Sequence, residues 1–156
     1  MINKNNLEIL HSINIQNMDK LNLILSQFPG GEPFYEFDIS DQPLSTILQV
    51  DLKQLTGVFT PEGSDSGYFV AQLAKLLGKL ATERILLYVC ADCGDLGCGA
   101  LSAQISFNEN SVVWSEFAYV NASETIENYP KIGPFEFEKE AYFKAFDELV
   151  KKTKNS

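Results

Sequence analysis

The clearest pattern in the chain runs from Ile85 to Tyr119. Ile85-Leu86-Leu87-Tyr88-Val89 is apolar at every position, the signature of a strand covered on both faces. After a turn, Leu101, Ala103, Ile105 and Phe107 alternate with Ser102, Gln104, Ser106 and Asn108, which predicts a half-buried strand. Asn108 to Ser111 reads as a hairpin turn. Val112 to Tyr119 returns from it with the only tryptophan, Trp114, as a packing anchor. This meander is the expected centre of a sheet.

Leu7 to Ile15 alternates more loosely, with Ile9, Ile13 and Ile15 on one face, and predicts an N-terminal strand. His11 shares that face, where nothing near it in sequence orients it for catalysis. Phe34 to Ile39 predicts a short strand with Phe34, Glu36 and Asp38 on its wet side and Tyr35, Phe37 and Ile39 on the other. Apolar positions at helical spacing predict about four helices. The first carries Leu21, Ile24, Leu25 and Phe28 behind an Asp19 cap, and Pro29-Gly30-Gly31 ends it. The second carries Leu44, Ile47, Leu48, Leu52 and Leu55 and closes at Gly57. The third carries Phe69, Leu73, Leu76, Leu77 and Leu80. The last runs from about Glu138 to Lys152 with Tyr142, Phe143, Phe146, Leu149 and Val150 inward. Thr60 to Gly67 and Asn121 to Pro134 read as loops, the second acidic and long enough to be a binding loop. The expected fold is α+β, a single domain over 1–156. One mainly antiparallel sheet is centred on the 85–119 meander, with the helices packed on it.

Charge sharpens this picture. The net charge is −9, and no basic residue falls between Lys20 and Lys53 or between Arg84 and Lys131. Those stretches hold Glu32, Glu36, Asp38, Asp41 and Asp51, then Asp92, Asp95, Glu109, Glu116, Glu124 and Glu127. Single-sign segments repel nucleic acid and attract a basic partner. No apolar run reaches the roughly 18–20 residues of a membrane-spanning helix. Met1 to Asn6 lacks the residue order of a signal peptide, so a cytoplasmic protein is expected.

Candidate chemistry gathers in Cys90-Ala91-Asp92-Cys93-Gly94-Asp95-Leu96-Gly97-Cys98-Gly99, which holds all three cysteines. Cys90 and Cys93 have the spacing of half a zinc knuckle, and Cys98 supplies a third ligand, one short of the four that structural zinc takes. A Cys-x-x-Cys redox pair uses a cysteine at a helix N-terminus, whereas strands are expected on both sides here. A Cys93–Cys98 disulfide would close only a small loop. The remaining reading is a turn of small buried cysteines and permissive glycines. Ser64 and Ser66 lack the Gly-x-Ser-x-Gly setting of a serine nucleophile. Glu36 and Asp38 could pair as acid and base, although carboxylates on one strand face more commonly form its solvated side. No catalytic constellation emerges, and no cofactor is expected unless the cysteines hold zinc.

Val89-Cys90 through Cys93-Gly-Asp-Leu-Gly-Cys98-Gly-Ala100, followed by Val112-Val113-Trp114-Ser115-Glu116-Phe117, resembles a set of uncharacterised bacterial proteins. They share V-C-x-x-C-G-D-L-G-C-G-A and V-V-W-x-x-F. Gly133-Pro134-Phe135-Glu136-Phe137 with Tyr142 is similar to their Pro-Phe-x-Phe…Tyr ending. Some carry an oxidoreductase description, for which this chain has no dinucleotide fingerprint. In size, acidity and lack of catalytic residues the chain also resembles immunity proteins of bacterial toxin systems, including contact-dependent inhibition. That resemblance implies a non-enzymatic protein that neutralises a basic toxin nuclease domain. Glu32, Tyr35, Glu36, Asp38, Asp41, Glu124, Glu127 and Tyr129 are the expected contacts. The alternative is a metal or redox protein centred on Cys90, Cys93 and Cys98.

Overall fold

The computed structural model describes residues 18–27, 29–61, 67–79, 84–90, 99–121 and 125–154. The strand expected over 7–15 with His11, the serines at 64 and 66, and the cysteine turn over 91–98 lie outside these residues. The elements in chain order are β1 (Leu21–Ser26), β2 (Phe34–Ile39), β3 (Gln42–Pro43), α1 (Leu44–Ile47), β4 (Leu55–Gly57), α2 (Gly67–Leu76), β5 (Ile85–Cys90), β6 (Ala100–Phe107), β7 (Ser111–Val120), β8 (Thr125–Asn128), β9 (Phe135–Glu138) and α3 (Lys139–Lys154). The protein is α+β, with antiparallel pairing between its strands.

The described strands form two sheets where one was expected, and the described helices number three where about four were expected. The larger sheet has the order β4-β5-β6-β7-β8, with β9 also on β7. It is built on the predicted meander. β5 is buried at every position from Ile85 to Val89, as its unbroken apolar run requires. β6 and β7 pair from Ala100↔Val120 to Phe107↔Val112 around the Asn108–Ser111 turn, closed by Asn108 N donating to Ser111 O at 2.8 Å. One edge of β7 serves two short strands laid end to end, β8 at Ala118–Val120 and β9 at Ser111–Trp114. The expected 121–134 loop therefore contains a strand.

The smaller sheet, β1-β2-β3, replaces the first predicted helix. Leu21, Ile24 and Leu25 fit a helical stripe, but six residues are too few to separate the two periods. Pairing of Leu21↔Ile39 through Ser26↔Phe34 selects the strand, burying Leu21 and Leu23 and exposing Ile24 and Leu25. Asp19 caps no helix; it joins Phe137 in an isolated parallel bridge. The second predicted helix stops after one turn. Gln49 is left-handed (φ 56), and Val50 N closes the turn onto Ser45 O at 2.7 Å. Leu55 to Gly57 then pairs with β5. Gly57 is thus no helix cap. A Cβ there would lie 2.6 Å from the Phe34 ring, so glycine permits the close approach of β4 to β2.

Backbone hydrogen bonds join the two sheets at both ends. Tyr35 N donates to Phe59 O (2.8 Å), just beyond β4, and Asp19 N donates to Glu136 O (2.8 Å). α3 packs across β1, β9 and β7, with Tyr142, Phe146 and Leu149 buried. Its first turn is capped by the Glu138 carboxylate, which accepts from Glu140 N (3.1 Å) and Ala141 N (2.8 Å). Between sheets and helix lies an aromatic core. Phe37 meets Phe59, Tyr88 and Trp114 edge to face at 5.7–5.9 Å, and Tyr142 meets Phe146 at 5.0 Å. No helix among the described residues is long and apolar enough to cross a membrane.

Candidate functional site

β2 carries three of the predicted contact residues and buries all of them. Tyr35, Glu36 and Asp38 are 5%, 4% and 7% exposed. The alternation of the strand predicts one wet face and one dry face. In the fold, α1 and the Tyr88 hydroxyl of β5 close over Glu36, β3 pairs along the strand's edge at Asp38, and the aromatic core covers Phe37. These three residues therefore cannot form a partner surface. Glu32 and Asp41 are exposed, one before β2 and the other after it. Six residues of strand lie between them, about 20 Å of chain, so they do not converge.

Glu127 and Tyr129 do come together, at the end of β8. Glu127 is exposed and pairs with Tyr119 of β7, while Tyr129 is half-buried and tied to Phe117 O through its amide at 2.9 Å. Partial burial raises the phenol pKa of Tyr129, and the Glu127 carboxylate adds to the rise. Glu124 lies outside the described residues.

The buried carboxyl of Glu36 has a defined role. Its Oε1 accepts from Ser45 N and from Tyr88 Oη, both at 2.8 Å. Pro43, at the start of α1, offers no side-chain cap, so Glu36 caps that short helix from the neighbouring strand. Burial raises the Glu36 pKa above the ordinary carboxyl range; the Ser45 and Tyr88 hydrogen bonds oppose the rise and Asp38 adds to it. Asp38 is raised by burial and by Asp41. Tyr88 is pushed well up by burial, then by the neighbouring Glu36 charge. Sealed from solvent in this way, Glu36 and Tyr88 offer a substrate no approach. Sequence reasoning found Glu36 but missed its partners: Tyr88 was read only as an apolar strand residue, and nothing in the sequence places Ser45 beside it.

Cys90 is a half-buried free thiol at the end of β5, where it pairs with Leu55. Cys93 and Cys98 lie outside the described residues, among which no three His, Cys, Asp or Glu side chains gather as a metal site. A groove of about 560 Å³ runs between β1 and α3. Leu21, Leu23, Tyr142 and Leu149 line it together with charged Lys20 and Glu148. None of the described residues predicted as contacts borders it.

No protein-family model matches this chain, and searches of curated proteins and of solved structures return no match.

Proposed function

We propose that this is a non-enzymatic binding protein of the cytoplasm that seats a basic protein partner on its acidic surface, most concretely an immunity protein neutralising a toxin nuclease domain. The observation that carries the reading is the exposure of Glu32, Asp41, Asp51, Glu109, Glu116 and Glu127 in stretches without a single lysine or arginine. Such a surface steers a basic partner and accelerates its association. Burial of Tyr35, Glu36 and Asp38 leaves Glu127 on β8 and Tyr129 just after it as the proposed contacts, with exposed Glu32 and Asp41 adding to the negative field. Tyr129 is the aromatic anchor there, already partly desolvated, with an exposed carboxylate beside it.

The test is co-expression with the toxin domain encoded by an adjacent gene. Rescue of growth, with a complex whose association slows at least about tenfold in the Glu32→Lys, Asp41→Lys, Glu127→Lys variant, is the expected outcome. An unchanged association rate and salt dependence would remove these contacts, and failure to rescue would remove the immunity reading. One equivalent of zinc retained through purification and lost in Cys93→Ser would instead favour a metal protein.

A further inference from the structure

Glu36 stands out for what its second oxygen lacks. Among the described residues, Oε2 is a buried side-chain oxygen with no hydrogen-bond partner. Among the described residues no cation acts on it. The elements around it are β1, β3, α1, β4 and β5, and none of them contains lysine, arginine or histidine. The titratable groups that face Glu36 are Tyr88 from β5 and Asp38 from its own strand, with Asp41 acting on Asp38 from the following turn. α1 contributes only the Ser45 amide and hydroxyl. Every one of these groups is neutral or negative. A buried carboxylate in such company, with one oxygen unsolvated, is far costlier than the neutral acid. The acid keeps Oε1 as a carbonyl able to accept from Ser45 and Tyr88.

Leu44 and Leu48 anchor α1 in the core, and the Glu36 carboxyl supplies its polar fastening. α1 is a single turn flanked by left-handed residues, Ser40 (φ 49) and Asp41 (φ 70) before β3 and Gln49 (φ 56) after the helix. Such short, strained segments open locally ahead of the whole fold, here at the cost of exposing Leu44 and Leu48. We propose that Glu36 is a protonation latch: as the neutral acid it fastens α1 to β2 and β5, and loss of its proton releases α1 and the turn before it. The closed form binds the proton more tightly than the open form, so rising pH favours opening by linkage. Burial is the largest cause of the raised Glu36 pKa, in accord with this direction. The inference is independent of any partner.

The experiment follows the intact protein and Glu36→Gln between roughly pH 4 and pH 9, a span covering ordinary and raised carboxyl values. Carbon NMR reports the Glu36 carboxyl, and amide exchange, corrected for its intrinsic pH dependence, reports Ser45 and Thr46. The expected result is a carboxyl titrating above the ordinary range, with protection at Ser45 falling at least about tenfold at the same midpoint. Protection in Glu36→Gln, which cannot ionise, should not change with pH. Titration in the ordinary carboxyl range would overturn the proposal, as would an equal loss of protection in both proteins. If Glu36→Gln does not fold, the two midpoints of the native protein decide the matter: coincidence supports the latch and separation refutes it.

Discussion

Gly99 and Tyr142 show how single residues carry constraints that their types do not announce. Gly99 is left-handed (φ +96), and the Tyr119 hydroxyl and ring occupy the space a Cβ would need. Gly99→Ala therefore meets both backbone strain and overpacking, and is expected to cost about 2–4 kcal/mol. The measurement is a lower urea midpoint at unchanged slope. Tyr142 links three elements: its hydroxyl donates to Leu76 O of α2 at 2.8 Å and accepts from Trp114 Nε1 of β7 at 3.3 Å. Burial raises its pKa far beyond the ordinary phenol range. Tyr142→Phe keeps the ring but leaves a buried carbonyl and a buried indole N–H unpaired. It should lower stability by roughly 1–3 kcal/mol, seen as a reduced melting temperature.

At the scale of elements, α3 is attached through one face. Tyr142, Phe146 and Leu149 are at most 1% exposed, while Glu140, Lys144, Asp147, Glu148 and Lys151 face solvent. Phe146→Ala should cost about 3–5 kcal/mol in chemical denaturation, whereas Lys151→Ala should stay within about 0.5 kcal/mol. The helical period had already assigned that face, because sixteen residues repeat it several times. β1 and α1–β4 were misread for the opposite reason. Six residues of β1 satisfy both periods, and Leu44 to Leu55 carries a full helical stripe that the left-handed Gln49 cuts after one turn. Leu52 and Leu55 are used all the same, half-buried against the core from a turn and a strand.

For the whole molecule, stability should depend on pH through the carboxyls whose pKa values are raised. Glu36 and Asp38 are both raised, so the folded protein binds their protons more tightly than the unfolded chain. Their contribution is fully present below the unfolded carboxyl range and is lost as pH rises through the folded values. The melting temperature should accordingly fall across that window, and Glu36→Gln should flatten the fall. A net charge of −9 adds self-repulsion, which predicts a higher melting temperature in 0.15 M salt than in about 0.01 M salt, where the Debye length is near 30 Å.

Long, unambiguous patterns needed only the sequence. The eight-residue alternation of β6 and the repeated stripe of α3 each contain enough positions to exclude the other period, and the apolar run of β5 marks a segment covered on both faces. The α+β class and the central hairpin follow from them. Burial of polar residues required the tertiary structure. Alternation marks Glu36 and Asp38 as one face of a strand, but only the packing of α1 and of Tyr88 from β5 decides that Glu36 is covered. The same is true of the candidate surface. Sequence supplied the long stretches free of basic residues, and the fold sorted their acids into buried Glu36 and Asp38 and exposed Glu32, Asp41 and Glu127. Charge is a property of the residue; solvation is decided by what the rest of the chain lays against it.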